Sequence, residues 1–189
     1  MVITDKKHEK MIVEILTESF ENVMIDNSIN FIVGFGKNRK KKLRGLFTYQ
    51  FRMALMYGKV FINNDLNAVI LFIHSKKFTF KRLFLEIHLA LNVIGIGNIL
   101  KVLKREKVLK MNHSSSNYIH LWLMGVRPSQ QSKGVGTLLL RETLEYYKRK
   151  TIILETTAQE NVVFYKKSGF DVFEENHVLN YPLYFMRYV

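Results

Sequence analysis

The segment Val126-Arg127-Pro128-Ser129-Gln130-Gln131-Ser132-Lys133-Gly134-Val135-Gly136-Thr137 holds the residue types that cradle a phosphate. It follows a strand-like run, Tyr118–Val126, and precedes a helical pattern over Gly134–Lys150. A strand–loop–helix turn of this kind offers free backbone N–H groups and the positive end of a helix dipole to an anion. Glycine permits close approach and positive φ, and Lys133 adds a full charge. The Gly-Lys-Ser/Thr ending of a Walker loop is missing, and so is the third glycine of the dinucleotide fingerprint. On this segment alone, a plain strand-to-helix turn is as good a reading as a phosphate site. Gly95-Ile96-Gly97 is a weaker case, because it follows a helix, and it reads as a helix break.

Two further blocks carry the reading on. Gln131-Ser132-Lys133-Gly134-Val135-Gly136 resembles the Gln/Arg-x-x-Gly-x-Gly/Ala pyrophosphate loop of the GNAT superfamily of acyl-CoA-dependent N-acetyltransferases, and Leu121-Trp122-Leu123-Met124-Gly125-Val126 resembles that family's central strand. Asn161-Val162-Val163-Phe164-Tyr165-Lys166-Lys167-Ser168-Gly169-Phe170 resembles its Asn…Phe/Leu-Tyr-x-Lys-x-Gly-Phe block, one helix and one strand further on. The close resemblance covers about residues 117–189, and the first half fits only in outline. It implies one α/β domain over residues 1–189: a mixed, mostly antiparallel central sheet, splayed at its middle where coenzyme A enters and flanked by helices.

The resemblance also implies roles. Backbone groups of Met124, Gly125 and Val126 would pair with the pantetheine arm, as an added strand pairs with a sheet edge. The amides of Gln131, Ser132, Lys133, Gly134, Val135, Gly136 and Thr137 would hold the pyrophosphate. Phe164 and Asn161 would complete the coenzyme contacts. Asn161 matches only the variant that places the asparagine four residues before the tyrosine; in the commoner spacing Ala158 falls there. Tyr165 would be the general acid for the departing thiolate. Attack by an amine also needs a base, and an oxyanion needs a donor, for which a backbone N–H at the splayed strand is suited. His120 and Glu155 are the base candidates; a strand-end histidine and a salt-bridged carboxylate are their structural alternatives. Acetyl-CoA would be the co-substrate, with no metal.

These groups need elements to position them. Apolar spacing predicts helices over 5–24 and about 39–57, the second closed by Gly58. Strands are expected at Lys59–Asn63 and Ala68–Ser75, joined by a hairpin turn. Residues 80–112 read as helices broken near Gly95, longer than the minimal family pattern, and Ser114–Asn117 as a loop. Beyond the helix of 134–150, a buried strand is expected at Thr151–Thr156. Thr157-Ala158-Gln159-Glu160 has capping-box spacing, Gly169 the place of a C′ residue, and Phe170–Phe173 and Leu183–Val189 close the chain as strands.

The composition fits a globular protein of 189 residues, 48% hydrophobic and 24% charged, and rules out collagen-like or wholly disordered chains. With no cysteine, disulfides, thiolate metal sites and a cysteine nucleophile are excluded. A reducing cytoplasm suits this, and no signal peptide is evident. The apolar stretch Leu83–Leu100 carries Glu86, His88, Asn92 and Asn98, so a buried or surface-docked helix fits better than membrane insertion.

The formal net charge is +13, with 20 basic and 9 acidic residues over 1–112. The run Lys37, Arg39, Lys40, Lys41, Lys42 and Arg44 reads as a solvated loop and helix start. It could also draw in an anionic ligand, or bind nucleic acid, for which it is the only support. The positive charge disfavours polycationic acceptors and tilts toward a neutral or anionic small-molecule amine or a peptide N-terminus. A homodimer is compatible with the sequence. A non-catalytic acyl-CoA sensor is the main competing class, and Tyr165 argues against it.

Overall fold

The computed structural model describes residues 1–74, 79–112 and 118–189, with the backbone alone at 110–112. A short strand Val2–Ile3 (β1) and a 3-10 turn precede helix Glu9–Glu21 (α1), helix Ser28–Val33 (α2) and helix Arg39–Tyr57 (α3). Strands Gly58–Ile62 (β2) and Ala68–Ile73 (β3) follow. Helix Phe80–Leu89 (α4) continues through a π-helical turn, Ala90–Ile94, and helix Ile99–Asn112 (α5) comes next. The remainder is strand Ile119–Val126 (β4), helix Val135–Tyr146 (α6), strand Ile152–Thr156 (β5), helix Gln159–Lys167 (α7), and strands Asp171–Asn176 (β6) and Leu183–Tyr188 (β7).

The seven strands form one sheet in the order β1-β2-β3-β4-β5-β7-β6. Every pairing is antiparallel except β4 with β5. Helices cover both faces, as the run of buried apolar residues along β3 requires. On one face, Ile12, Ile15 and Leu16 of α1 and Leu43, Phe47 and Phe51 of α3 pack on Val60, Val69, Leu71 and Leu123. On the other, Leu139, Leu140 and Leu144 of α6 and Val162 and Tyr165 of α7 pack on Ile70, Phe72, Leu121 and Leu154.

One irregularity shapes the middle of the sheet. Leu71 pairs with Leu123, but the next residue, Phe72, pairs with Leu121, so Trp122 is an extra residue on β4. The faces agree: Leu123 packs with the α1–α3 core and Trp122 beside Met53, Ile73 and Leu85 on the same side. Leu121 and Met124 lie against the α6 core. A bulge of this kind bends its strand and sharpens the local twist.

Several expectations shift at their edges. Helix α1 starts at Glu9, because the Asp5 carboxylate accepts from Lys7 N and caps the preceding 3-10 turn. Helix α2 escapes a periodicity search because it has six residues; Asn27 starts it by accepting from Ile29 N and Asn30 N. The capping box at Thr157–Glu160 does not form: Ala158 is the N-cap, with no side-chain cap bond. Phe170 is core rather than strand, and β6 runs on to Asn176. The expected Ser114–Asn117 loop and the end of the strand at Ser75 lie outside the described residues.

The basic run is not simply a solvated face. Arg39 is 8% exposed. Its Nη2 donates to Phe20 O at 2.9 Å, Val23 O at 2.9 Å and Asn30 Oδ1 at 2.7 Å. A cation therefore satisfies carbonyls at the C-terminal end of α1, where the helix dipole favours it. Asn30 in turn donates to Val23 O and Ile25 O. Arg44 bonds Glu14 and Lys40 bonds Glu21, and Arg52, beyond the run, bonds Glu9, so α3 is laced along α1. Each such exposed pair contributes little by itself. Arg39→Met should therefore destabilise the fold by about 2–3 kcal/mol, since it removes charge-assisted bonds and leaves the buried Asn30 Oδ1 without its donor. Urea denaturation checks this; an unchanged midpoint would show that the network is dispensable.

Candidate functional site

Strands β4 and β5 pair only at Ile119–Ile152 and His120–Ile153. Beyond that point they separate, just where the Trp122 bulge bends β4. The other edge of β4 stays paired with β3 through to Val126. Arg127 N donates to Asn67 O on the β3 side at 2.8 Å. Backbone groups alternate along an antiparallel strand, so Leu123 and Gly125 direct theirs at β3, while Met124 and Val126 direct theirs at the open edge. Gly125 was expected to offer its backbone to the pantetheine arm; its pairing with Val69 assigns that backbone to the sheet instead. The Val126 carbonyl is engaged as well, accepting from Ser19 Oγ at 2.8 Å and Gln131 Nε2 at 3.0 Å. Met124 and the Val126 N–H are what the edge offers a ligand.

The open edge leads into the glycine loop. Ser132 has φ 60 and Gly134 φ 77, one on each side of the exposed Lys133. Successive backbone N–H groups in such a turn form a concave anion site. Gly134 is the N-cap of α6 and no side chain caps that end, so the first amides of a 12-residue helix, those of Val135, Gly136 and Thr137, keep their donors for a ligand. The two glycines serve different purposes. At Gly134 nothing lies within 4 Å of the place a Cβ would take, and the left-handed backbone is the constraint. At Gly136 a Cβ would stand 2.8 Å from Met124 Cε and 3.1 Å from Val126 Cγ2. Gly136 thus lets α6 lie close on β4, a packing role where a phosphate-approach role was expected.

Across the opening, on the sheet face of α1 and α3, His120 Nε2 and Glu155 Oε2 are 2.8 Å apart. Glu155 lies two residues beyond Ile153, the last partner of His120, so the pair spans the point of separation. The two side chains are 10% and 9% exposed. The Tyr118 hydroxyl beside them is pushed up by burial and, secondarily, by the Glu155 charge. Both base candidates are therefore brought together as one coupled unit.

Tyr165 projects from α7 into the opposite core. The end of α7 explains how it is held: Phe170 N donates to Tyr165 O at 3.1 Å and Gly169 N to Lys166 O at 3.0 Å, with Gly169 at φ +91. This is the Schellman closure, and its usual apolar contact is present between the Tyr165 and Phe170 rings, centroids 5.5 Å apart. Phe164 packs edge-on to the same ring at 5.1 Å. Burial pushes the Tyr165 hydroxyl well above the ordinary phenol range, which keeps it protonated. Among the described residues its hydroxyl makes no hydrogen bond. Asn161 is exposed on the outer side of α7, as are Gln131, Ser132 and Thr137 around the loop.

Sequence reasoning did not reach α1. Besides Ser19, Glu18 bonds Arg127 at the end of β4, and the Leu16 side chain closes over Gly125. These partners lie more than 100 residues apart, and no local spacing signals them. Among the described residues no cluster of His, Asp or Glu could hold a metal ion.

Residues 88–172 match the model of the acetyltransferase (GNAT) domain. In solved structures the chain is similar to a Corynebacterium glutamicum protein described as histone acetyltransferase HPA2 and related acetyltransferase (19% identity, 98% of this chain and 93% of that one, TM-score 0.72). It is also similar to arylalkylamine N-acetyltransferase 2 from Aedes aegypti (14% identity, 100% and 97% covered, TM-score 0.62). An N-acetyltransferase from Staphylococcus aureus has the same fold at 11% identity, with 99% and 100% covered and a TM-score of 0.59. The split between β4 and β5, the glycine loop and the α7 tyrosine all fall inside the region that matches the acetyltransferase (GNAT) domain, and the chain shares its overall fold with these acetyltransferases.

Proposed function

We propose that the protein transfers an acetyl group from acetyl-CoA to a primary amine of a small molecule or peptide. The observation that carries this is the unpaired edge of β4 running straight into the uncapped N-terminus of α6. An extended amide-containing arm suits the first and a pyrophosphate the second. Met124 and the Val126 N–H would hold the arm, and the amides from Ser132 to Thr137 the pyrophosphate, with Lys133 adding charge. The thioester supplies an activated acyl group and a thiolate leaving group.

This chain's own residues do the remaining work. The His120–Glu155 pair accepts the proton that the attacking amine must lose, with the carboxylate fixing and polarising the imidazole. Tyr165, held protonated by burial, donates to the departing sulfur. The sheet and α1 exclude water from the acyl group on one side. Few acids surround the opening, and the net charge is +13, so a neutral or anionic amine fits better than a polyamine. A panel of amines assayed by release of the coenzyme A thiol tests the reading; no turnover with any amine, alongside tight acetyl-CoA binding, would favour a sensor.

The two glycines should separate. Gly134→Val should weaken acetyl-CoA binding with little change in melting temperature, because strain is confined to an exposed loop. Gly136→Val should lower both, because α6 must move off β4. Calorimetry and melting on the same preparations check this, and unchanged affinity in a folded Gly134→Val protein would remove the loop from the coenzyme site.

Tyr165→Phe should lower kcat by about 10- to 100-fold with little effect on melting or acetyl-CoA affinity, since the hydroxyl acts when charge develops on sulfur. Full kcat in the variant would remove it as the acid.

His120→Asn and Glu155→Gln should each lower kcat by roughly 100-fold. The double variant should be scarcely worse than either, because the two act as one unit. Multiplicative losses would show that they act separately.

A further inference from the structure

We propose that the bent helical pair α4–α5 docks on an anionic lipid bilayer and lies in the plane of its surface. This does not depend on the acyl-transfer reading. Phe84, Ile87 and Leu91 are 70%, 50% and 58% exposed along α4 and its π-helical continuation, at i, i+3 and i+7. On α5, Leu100 and Leu103 are 81% and 57% exposed, at i and i+3, and Ile96, on the 3-10 turn that leads into it, is 74% exposed. Each spacing gathers its side chains on one helix face. The inward faces are separately satisfied: Leu85, Val93, Ile94, Val108 and Leu109 are buried. The outward stripes are thus surplus to the core.

Charge decides the occupant. Residues 80–112 hold seven Lys and Arg against two acids, and both acids are engaged locally, Glu86 with Arg82 at 2.8 Å and Glu106 with Arg105 at 2.7 Å. Lys81, Lys104 and Lys107 are exposed beside the apolar stripes. Lys101 is exposed too, its ammonium 4.6 Å over the Phe31 ring. A second copy of the chain would bring two such positive faces together. A nucleic acid would satisfy the lysines and leave the apolar stripes in water. A bilayer containing phosphatidylserine meets both: acyl-chain depth for Phe84 and Leu100, and a negative surface for the lysines. Among the described residues no single helix is long and apolar enough to cross a membrane, and the two halves bend by 101° at Gly95. That geometry suits lying in an interface rather than spanning. The same helix α4 touches the site's frame, since Leu85 packs with Trp122 and Ile73.

The test is flotation of the full chain with vesicles of phosphatidylcholine and phosphatidylserine, and with phosphatidylcholine alone. The protein should float with the anionic vesicles, and less so as salt rises. Phe84→Ser with Leu100→Ser should lower the partition by more than about tenfold. Lys104→Gln and Lys107→Gln should each lower it roughly fivefold at low salt. Circular dichroism and melting establish that each variant is folded, and the lysine variants carry the test if the serine pair is not. Equal partition of folded variants and the parent protein overturns the proposal. So does failure to float, and so does a dimer, seen by sedimentation, that forms in place of vesicle binding and is lost in the serine pair.

Discussion

One extra residue in one strand governs the architecture of the site. With Trp122 inserted as an extra residue, β4 parts from β5 after His120 while its other edge stays bound to β3. A sheet interior does not ordinarily expose backbone donors, because each buried one left unpaired is costly. In the proposed function this edge receives a ligand that pairs with it. The cost of the opening is offset around it: Ser19 and Gln131 cover the Val126 carbonyl, and the α1 side chains close over Gly125.

The bulge also explains why Tyr165 and the His120–Glu155 pair sit on different sides of the sheet. By placing Trp122 and Leu123 on one face, it keeps His120 with Glu155 on the side of α1 and α3 while Leu121 and Met124 pack under α6. Tyr165 stands on that second side, fixed through the Gly169–Phe170 closure of α7. A ligand threaded between the strands would be flanked by the His120–Glu155 pair on one face and the protonated Tyr165 phenol on the other. The positive end of α6 lies along the same path and needs no mobile side chain to present its amides.

Much of this was legible from residues 117–189. The strand, glycine loop, helix and the Tyr-x-Lys-x-Gly-Phe block are local patterns whose physics is local: a left-handed glycine, a helix start and a Schellman end. The role of Gly136 was not legible, because it depends on where Met124 and Val126 fall across the sheet. Nor was the assignment of the Gly125 backbone, which depends on a register that the bulge resets. The place of Arg39 within the basic run was not legible for a related reason: its burial follows from the carbonyls at the end of α1 and from Asn30, none adjacent to it in sequence. His120 and Glu155 were singled out separately, but their 2.8 Å contact is a property of the parallel pairing that joins them.

The central claim is that the free edge of β4 and the uncapped start of α6 form one continuous acetyl-CoA site. Hydrogen–deuterium exchange with and without acetyl-CoA tests it most directly, amide by amide. The account requires slowed exchange at Met124, Val126 and the amides from Ser132 to Thr137, with the β3-directed amides of Leu123 and Gly125 unchanged. Protection confined to other elements, or absent from β4 while acetyl-CoA is bound, would contradict it.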